Sequence, residues 1–214
     1  MLHNSVMLWN HSPVPRQKDP QVRTLLVERA ARMLRRREPV TLRSLVAETP
    51  VSSMAVYTHF GGMDGLWSAV RQEGFTLLSA RLAEVPATRD PVRDLASLLA
   101  AYTRNAMDHP DLYRVMFDAS VDLEDAAAAD DTLEHLVQAV RRGVESGRYR
   151  AGTVSLDLAT QAWMVGHGIV SLVATGPLPD RTLTYGPSML TALLISAGDD
   201  PARCWRSVRR GWQP

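Results

Sequence analysis

The side chains with the clearest chemical meaning fall between residues 41 and 60. Thr41, Arg43, Ser52, Ser53, Met54, Tyr57, Thr58 and His59 bring hydroxyls, a phenol, an imidazole and a guanidinium to two short helical stretches. Such groups donate hydrogen bonds to phosphate oxygens, which position a protein on a duplex, or reach base edges, which read its sequence. Tyr57 and His59 suit phosphates. Ser53, Met54 and Thr58 fall on the outward face of the second stretch, within reach of base edges, whereas Ala55, Val56 and Phe60 fall on the inward face. The alternative is that Tyr57 and His59 only pack on their own helical unit.

A second group is Met107, Tyr113, Met116, Phe117, Trp163 and His167. Pockets for small molecules are mostly apolar with a few polar groups, and this set has that character. Ordinary core is the alternative, with His167 hydrogen-bonded to a neighbouring helix. Catalysis finds little support. His109, Ser155, Asp157 and His167 form no nucleophile elbow, phosphate loop or metal motif, so neither an enzyme nor a cofactor is expected. The acids Asp122, Glu124, Asp125, Asp130, Asp131 and Glu134 lack ordered His or Cys spacing and read as a solvated loop, not a metal site. Cys204, beside Trp205, reads as inert rather than as a redox sensor.

The chain that carries these groups has 214 residues, 45% of them hydrophobic, enough for one large domain or two small ones with a sizeable core. A net charge of +1 hides an asymmetry. The first 60 residues carry nine basic and four acidic side chains, whereas residues 87–202 carry nine basic and sixteen acidic ones. A basic head on an acidic body suggests a polyanion-binding unit joined to one with another task. A single cysteine rules out an internal disulfide and fits a reducing, cytoplasmic setting. The start of the chain lacks a positive region followed by a long apolar run. Residues 158–179 are uncharged, but Gln161, Gly166, His167, Gly168, Gly176 and Pro177 interrupt them, so no membrane partner is expected.

The elements that must position these groups are helices throughout. Residues 1–19 show no periodicity and read as a flexible arm. Asp19-Pro20 pairs a capping carboxylate with a first-turn proline and opens a helix to about Arg36. Thr41 caps a short helix to about Glu48, with Leu45 and Val46 inward. Ser52 caps another, to about His59. After Gly61-Gly62, Asp64 caps a longer helix carrying Leu66, Ala69, Val70, Leu77, Leu78 and Leu82 and stopping at Pro86. Asp90-Pro91 opens the next, which ends at His109-Pro110, and a short amphipathic turn follows. Residues 119–130 read as a mobile loop or frayed helix, and Leu133 to Gly147 as an amphipathic helix. Residues 155–175 and 185–198 form two helices whose only charge is Asp157, and Pro201 starts a basic terminal helix. The fold class is all-α: an N-terminal three-helix, helix-turn-helix unit over residues 20–66, a linking helix to about residue 85, and a larger helical body over residues 67–214.

From Thr41 to Leu66 the run resembles the DNA-binding domain of the TetR family, matching at Tyr57, His59, Phe60, Gly61, Gly62 and Leu66. Two positions depart from the family pattern. Its turn glycine falls on Pro50, which cannot take a positive φ, so the turn must differ. Its phosphate-contacting lysine falls on Met63, which removes one charge contact per subunit, for which Arg43 or the arginines of the first helix would compensate. Arg35-Arg36-Arg37 reads either as a phosphate contact or as a solvated helix end. In the body, His109 to Phe117 together with Trp163, His167 and Gly168 is similar to the subgroup named for its Trp-His-Gly motif. That resemblance implies a ligand-responsive body that dimerises through its last two long helices. Independently, a helix apolar on all sides must be buried on all sides, and a four-helix bundle across a two-fold axis would cover both uncharged helices.

The expected partners are therefore double-stranded operator DNA, an unknown small-molecule effector and a second copy of the chain, joined through residues 155–175 and 185–198. The expected function is a dimeric repressor released from its operator by the effector, with two heads facing half-sites about 34 Å apart or at some larger spacing. A protein-binding module that no longer reads DNA is the competing class, and Met63 is the feature that favours it.

Overall fold

Three helices begin in the same way, with an aspartate ahead of a proline. The computed structural model describes residues 19–125, 127–174 and 176–213. Asp19, Asp90 and Asp200 accept from the backbone N–H of Gln21, Arg93 and Arg203, and each precedes a proline in the first helical turn. The carboxylate satisfies an otherwise orphaned donor, and the proline sacrifices none. The helices are α1 (Pro20–Arg35), α2 (Leu42–Val46), α3 (Met54–Phe60), α4 (Met63–Ala83), α5 (Pro91–Asp108), α6 (Pro110–Met116), α7 (Ala127–Glu145), α8 (Ser155–Ala174), α9 (Gly186–Ser196) and α10 (Pro201–Gly211). A 3-10 turn over Asp180–Tyr185 precedes α9. The arm expected over residues 1–19 lies, apart from Asp19, outside the described residues.

Two apolar cores divide the molecule, and α4 belongs to both. Leu66, Ala69 and Val70 join Leu26, Val27, Ala30, Met33, Leu45 and Val56 in the core of the head. One turn on, Phe75, Leu78 and Leu82 join the body, with Val92, Leu95 and Leu99 of α5, Leu136 and Val140 of α7, and Leu158 and Ala162 of α8. The short α6 crosses α4 at the change-over. Its Leu112 is buried in the head core. Its Met116 is fully buried, lying so close that a Cβ on Gly74 would sit 2.4 Å from the Met116 Cγ. Only glycine allows that approach without displacing the Met116 side chain.

Several expectations are corrected here. α2 ends at Val46, not Glu48: Ala47 already leaves the helix with ψ 139°, and Glu48 takes a left-handed backbone conformation with φ 61°. Pro50 cannot supply the positive φ of the turn, so it moves two residues upstream. Ser53, not Ser52, occupies the position before α3, and no side chain caps it. Ser52 contributes its carbonyl, which accepts from the Ala55 N–H at 2.9 Å. α4 starts at Met63, directly after Gly62, so Asp64 sits in its first turn and not at its cap. Gly61 (φ 76°) closes α3 in a conformation that few other residues adopt. Leu77 is 42% exposed. α7 begins at Ala127, inside the stretch read as a mobile loop or frayed helix; the first part, 119–125, is irregular and 127–130 is helical.

The body is also tied by buried charge. Arg148, 1% exposed in its side chain, pairs with both oxygens of Asp199 at 2.7 Å and with Asp90 at 2.7 Å. Ser207 of α10 donates to Asp90 at 2.6 Å. This network joins the start of α5, the loop after α7, the loop before α10 and α10 itself. Nearby, burial pushes the Cys204 thiol up to about 12, which keeps it protonated and unreactive.

Two outcomes follow. Asp199→Ala strips Arg148 of its bidentate partner in the interior and should cost about 3 kcal/mol or more in urea unfolding; a change below about 1 kcal/mol would show the network to be incidental. At the junction of α5 and α6, burial first and the Arg35 charge second hold the His109 imidazole below its ordinary value, with Asp108 opposing and Arg81 adding a smaller push. The fold therefore prefers neutral His109. Its contribution is complete above about pH 6.5 and is lost as pH falls towards the lower folded value, because the unfolded chain takes up the proton first. The Tm of the wild type should drop more steeply between about pH 7 and pH 5 than that of His109→Gln.

Candidate nucleic-acid interface and effector cavity

The head presents α3 outward. Val56 is fully buried and Ala55 and Phe60 pack against the head core, as their spacing requires. The opposite face carries Met54, 64% exposed, Tyr57, 52% exposed, and Thr58. The Thr58 hydroxyl donates back to the Met54 carbonyl at 2.9 Å, so it meets a partner chiefly as an acceptor. His59 is half-buried beside Phe60, and Ser53 is half-buried at the helix start, whereas Ser52 and Arg43 are exposed. Thr41 is exposed but engaged: its hydroxyl accepts from the Ser44 N–H, and the Ser44 hydroxyl accepts from the Thr41 N–H. The structure thus brings Met54, Tyr57 and Thr58 onto one face, with Arg43 on the neighbouring helix.

The basic residues of α1 divide. Arg29 turns inward, donating to the Ser44 carbonyl at 3.3 Å with Glu48 3.9 Å away. Arg23 lies over the Phe60 ring, 5.6 Å from its centroid, and pairs with Glu124 of the body. Arg35, Arg36 and Arg37 remain exposed at the end of the helix. Met63 packs against the head core, so this position is held by apolar contact.

In the body a cavity of about 280 Å³ opens among α4, α5, α7 and α8. Phe75, Leu78 and Leu82 form one wall, Leu133 and Leu136 another, and Tyr102, Phe117 and Trp163 a third. Phe117 meets Phe75 edge-on at 5.7 Å between centroids and Trp163 at 6.0 Å. The polar lining is Arg71, Asp130 and Thr132. A wider, more open cleft of about 500 Å³ lies beyond Leu82, but its buried Asp94 is already satisfied by Arg142 at 2.9 Å and by Thr88.

Of the six residues expected at a pocket, Phe117 and Trp163 line this one. Tyr113 and His167 stand behind it. The hydroxyls of Tyr102 and Tyr113 lie 2.8 and 2.7 Å from His167 Nδ1 and 3.0 Å from each other. Burial lowers the His167 pKa and raises those of both tyrosines, so the triangle is neutral. Met116 is not in the lining because it fills the crossing over Gly74. Met107 is half-buried against the body core near the end of α5. Sequence reasoning missed the α4 wall. Its signal was an arginine in register with an apolar stripe: Arg71, Phe75, Leu78 and Leu82 share one helical face.

The cavity wall also holds the loop after α6. Arg71 Nε donates to the Met116 carbonyl at 2.8 Å, its Nη1 donates to the Val121 carbonyl, and the Gln72 side-chain oxygen accepts from the Asp125 N–H at 3.0 Å. The same loop carries Glu124, the partner of Arg23 in the head.

Residues 95–197 match the family described as "Tetracyclin repressor-like, C-terminal domain". No curated protein matches the chain. Among solved structures, a TetR family transcriptional regulator, PfmR from Thermus thermophilus, is 19% identical with a TM-score of 0.62, over 79% of this chain and 97% of its own. RolR, solved with the ligand resorcinol, is 17% identical with a TM-score of 0.65, over 92% and 98%. The TetR family protein CprB from S. coelicolor A3(2) is 23% identical with a TM-score of 0.59, over 89% and 96%. At these identities the structures establish the fold. Residues 95–197 thus resemble a tetracyclin repressor-like C-terminal domain, and the fold of the described residues is the one seen in TetR-family structures.

Proposed function

We propose that this chain is a dimeric, DNA-binding transcriptional regulator, a repressor that leaves its operator when a small molecule fills the body cavity. The observation that carries the reading is the outward face of α3, where Met54, Tyr57 and Thr58 stand clear of a head whose own core is complete. A short helix with an exposed polar and aromatic face, supported by two others, is the geometry that enters a major groove. Tyr57, His59 and Arg43 would anchor phosphates, with Thr41 and Ser52 at the helix starts beside them; Ser53, Met54 and Thr58 would approach bases.

Two further features support it. Leu156, Met164 and Leu172 of α8 and Met189 of α9 are about half exposed, a density of large apolar side chains that an isolated surface does not keep. Gly168 lies in the same stripe with open space where a Cβ would stand, so a facing helix can approach closely. A second copy seated there makes a four-helix bundle and fixes the separation of two heads. The cavity shares α4 with the head, so a ligand that shifts α4 changes that separation. RolR, similar in fold, was solved with a small aromatic molecule, resorcinol, as ligand.

The DNA reading is tested on the region upstream of the chain's own gene. Gel shift at low salt should give a discrete complex; the absence of one would count decisively against repression of its own promoter. Met63→Lys, restoring a cation whose stem still packs on the core, should tighten binding and steepen the log–log salt slope by about 2 per dimer, at roughly 0.9 per phosphate contact. Arg43→Ala should flatten it by a similar amount. Unchanged slopes in both variants would remove the phosphate assignment. Met164→Glu with Leu172→Glu should yield monomers by sedimentation at micromolar concentration and weaken operator binding together; a persisting dimer would place the interface elsewhere.

A further inference from the structure

Resting on the cavity as the effector site, we propose that the effector is a small, flat aromatic carboxylic acid, its rings among Phe75, Phe117 and Trp163 and its carboxylate on Arg71. Size comes from the volume. About 280 Å³ is roughly twice the ~150 Å³ of an apolar cavity that takes up benzene, which suits one substituted ring or two fused rings. Shape comes from the walls. Phe75, Phe117 and Trp163 form a tilted array with centroids 5.7 and 6.0 Å apart, offering both edges and faces to a planar guest. Leu78, Leu82, Leu133 and Leu136 close the other sides with aliphatic carbon.

Charge comes from Arg71. Among the described residues it is the only cation in the lining, half-buried, and bonded to two neutral carbonyls, Met116 through Nε and Val121 through Nη1. No described carboxylate comes within ion-pair distance of it. Asp118 feels the Arg71 charge, but as the smallest of the influences on its carboxyl. Nη2 takes part in neither backbone bond, and Nη1 has a second proton, so the end of the guanidinium is left to grip two carboxylate oxygens. The two backbone bonds hold that end in place before any ligand arrives. A single guanidinium matches a monoanion; a doubly charged group would carry one charge into an apolar cavity without a partner. Asp130, exposed and also in the lining, lies beyond ion-pair distance of Arg71. It repels a carboxylate on its own side and so favours the orientation with the acid on Arg71.

The test is isothermal titration of the full-length protein with three probes of one shape: naphthoate, naphthamide and naphthol. Naphthoate should bind about tenfold or more tightly than naphthamide, the effect of a charged hydrogen-bonded pair over a neutral one. Arg71→Gln should abolish that preference while naphthamide binding persists. Because Arg71 also fastens the loop after α6, Asp130→Asn serves as the second variant; it should strengthen naphthoate binding several-fold and leave naphthamide unchanged. Naphthamide or naphthol binding as tightly as naphthoate, and lost when Leu136→Trp fills the cavity, overturns the acid and leaves the cavity as effector site. Failure of all three probes to bind overturns both.

Discussion

The crossing of α6 over α4 at Gly74 is the contact on which the rest of the molecule depends. A 21-residue helix would ordinarily serve one core, but α4 serves two, and the change-over falls where Met116 lies against the bare Cα of Gly74. On one side of that point α4 completes the head with Leu66, Ala69 and Val70; on the other it walls the cavity with Phe75, Leu78 and Leu82. Leu112, one turn before Met116, is buried in the head core itself. A side chain at position 74 would displace the Met116 side chain and press on that of Leu112, one from each core. The body is therefore wedged against the head by packed side chains, and packed cores switch between arrangements more readily than they deform.

That geometry bears on how a bound molecule would act. Arg71 stands one turn before Phe75, on the head side of the crossing, and its Nε is already bonded to the Met116 carbonyl at the end of α6. A group that draws on Arg71 acts on α4 and on α6 at the same residue. The loop after α6 offers a second route, since its Glu124 reaches Arg23 on α1, which in turn lies over Phe60 at the end of α3. The exposed ion pair is worth little in stability. Its place is what matters: it is the point where the cavity's own loop touches the helix that supports α3.

Much of the fold was legible because its boundaries are local. The aspartate-proline starts of α1 and α5, the Thr41 cap and the glycines after α3 are decided by a few adjacent residues, and each stands within about one residue of where the sequence puts it. The misplaced details are those in which backbone competes with backbone. Pro50 signals an altered turn, but that Glu48 takes the positive φ follows from how the whole turn closes. Leu77 fits the apolar pattern of α4 and yet faces outward, because α4 turns a different face to the head than to the body. The cavity was half legible. Phe117 and Trp163 stand out by residue type, whereas its α4 and α7 walls read as ordinary core stripes until four helices are placed together. For His167 the sequence left a pocket role and a helix-to-helix hydrogen bond both open; that it hydrogen-bonds Tyr102 from behind the cavity depends on tertiary placement.

The charge asymmetry of the sequence also takes on a more specific meaning. Nine basic residues in the first part of the chain suggest a broad positive surface, but Arg29 is spent on Ser44 and Glu48, and Arg23 on Phe60 and Glu124. Among the described residues, what remains exposed is Arg43 near α3 and Arg32, Arg35, Arg36 and Arg37 at the end of α1. With Met63 turned into the core, the proposed interface has few cations close to α3 and must take its hold on phosphates from hydroxyl, phenol and imidazole donors. Neutral donors release no counterions. On the proposed reading such a head would bind weakly alone, and its affinity would rest on two copies acting as one, their separation set by the proposed α8–α9 interface. The apolar stripe carrying Met164, Gly168 and Leu172 would then be as much a part of the proposed DNA recognition as Tyr57.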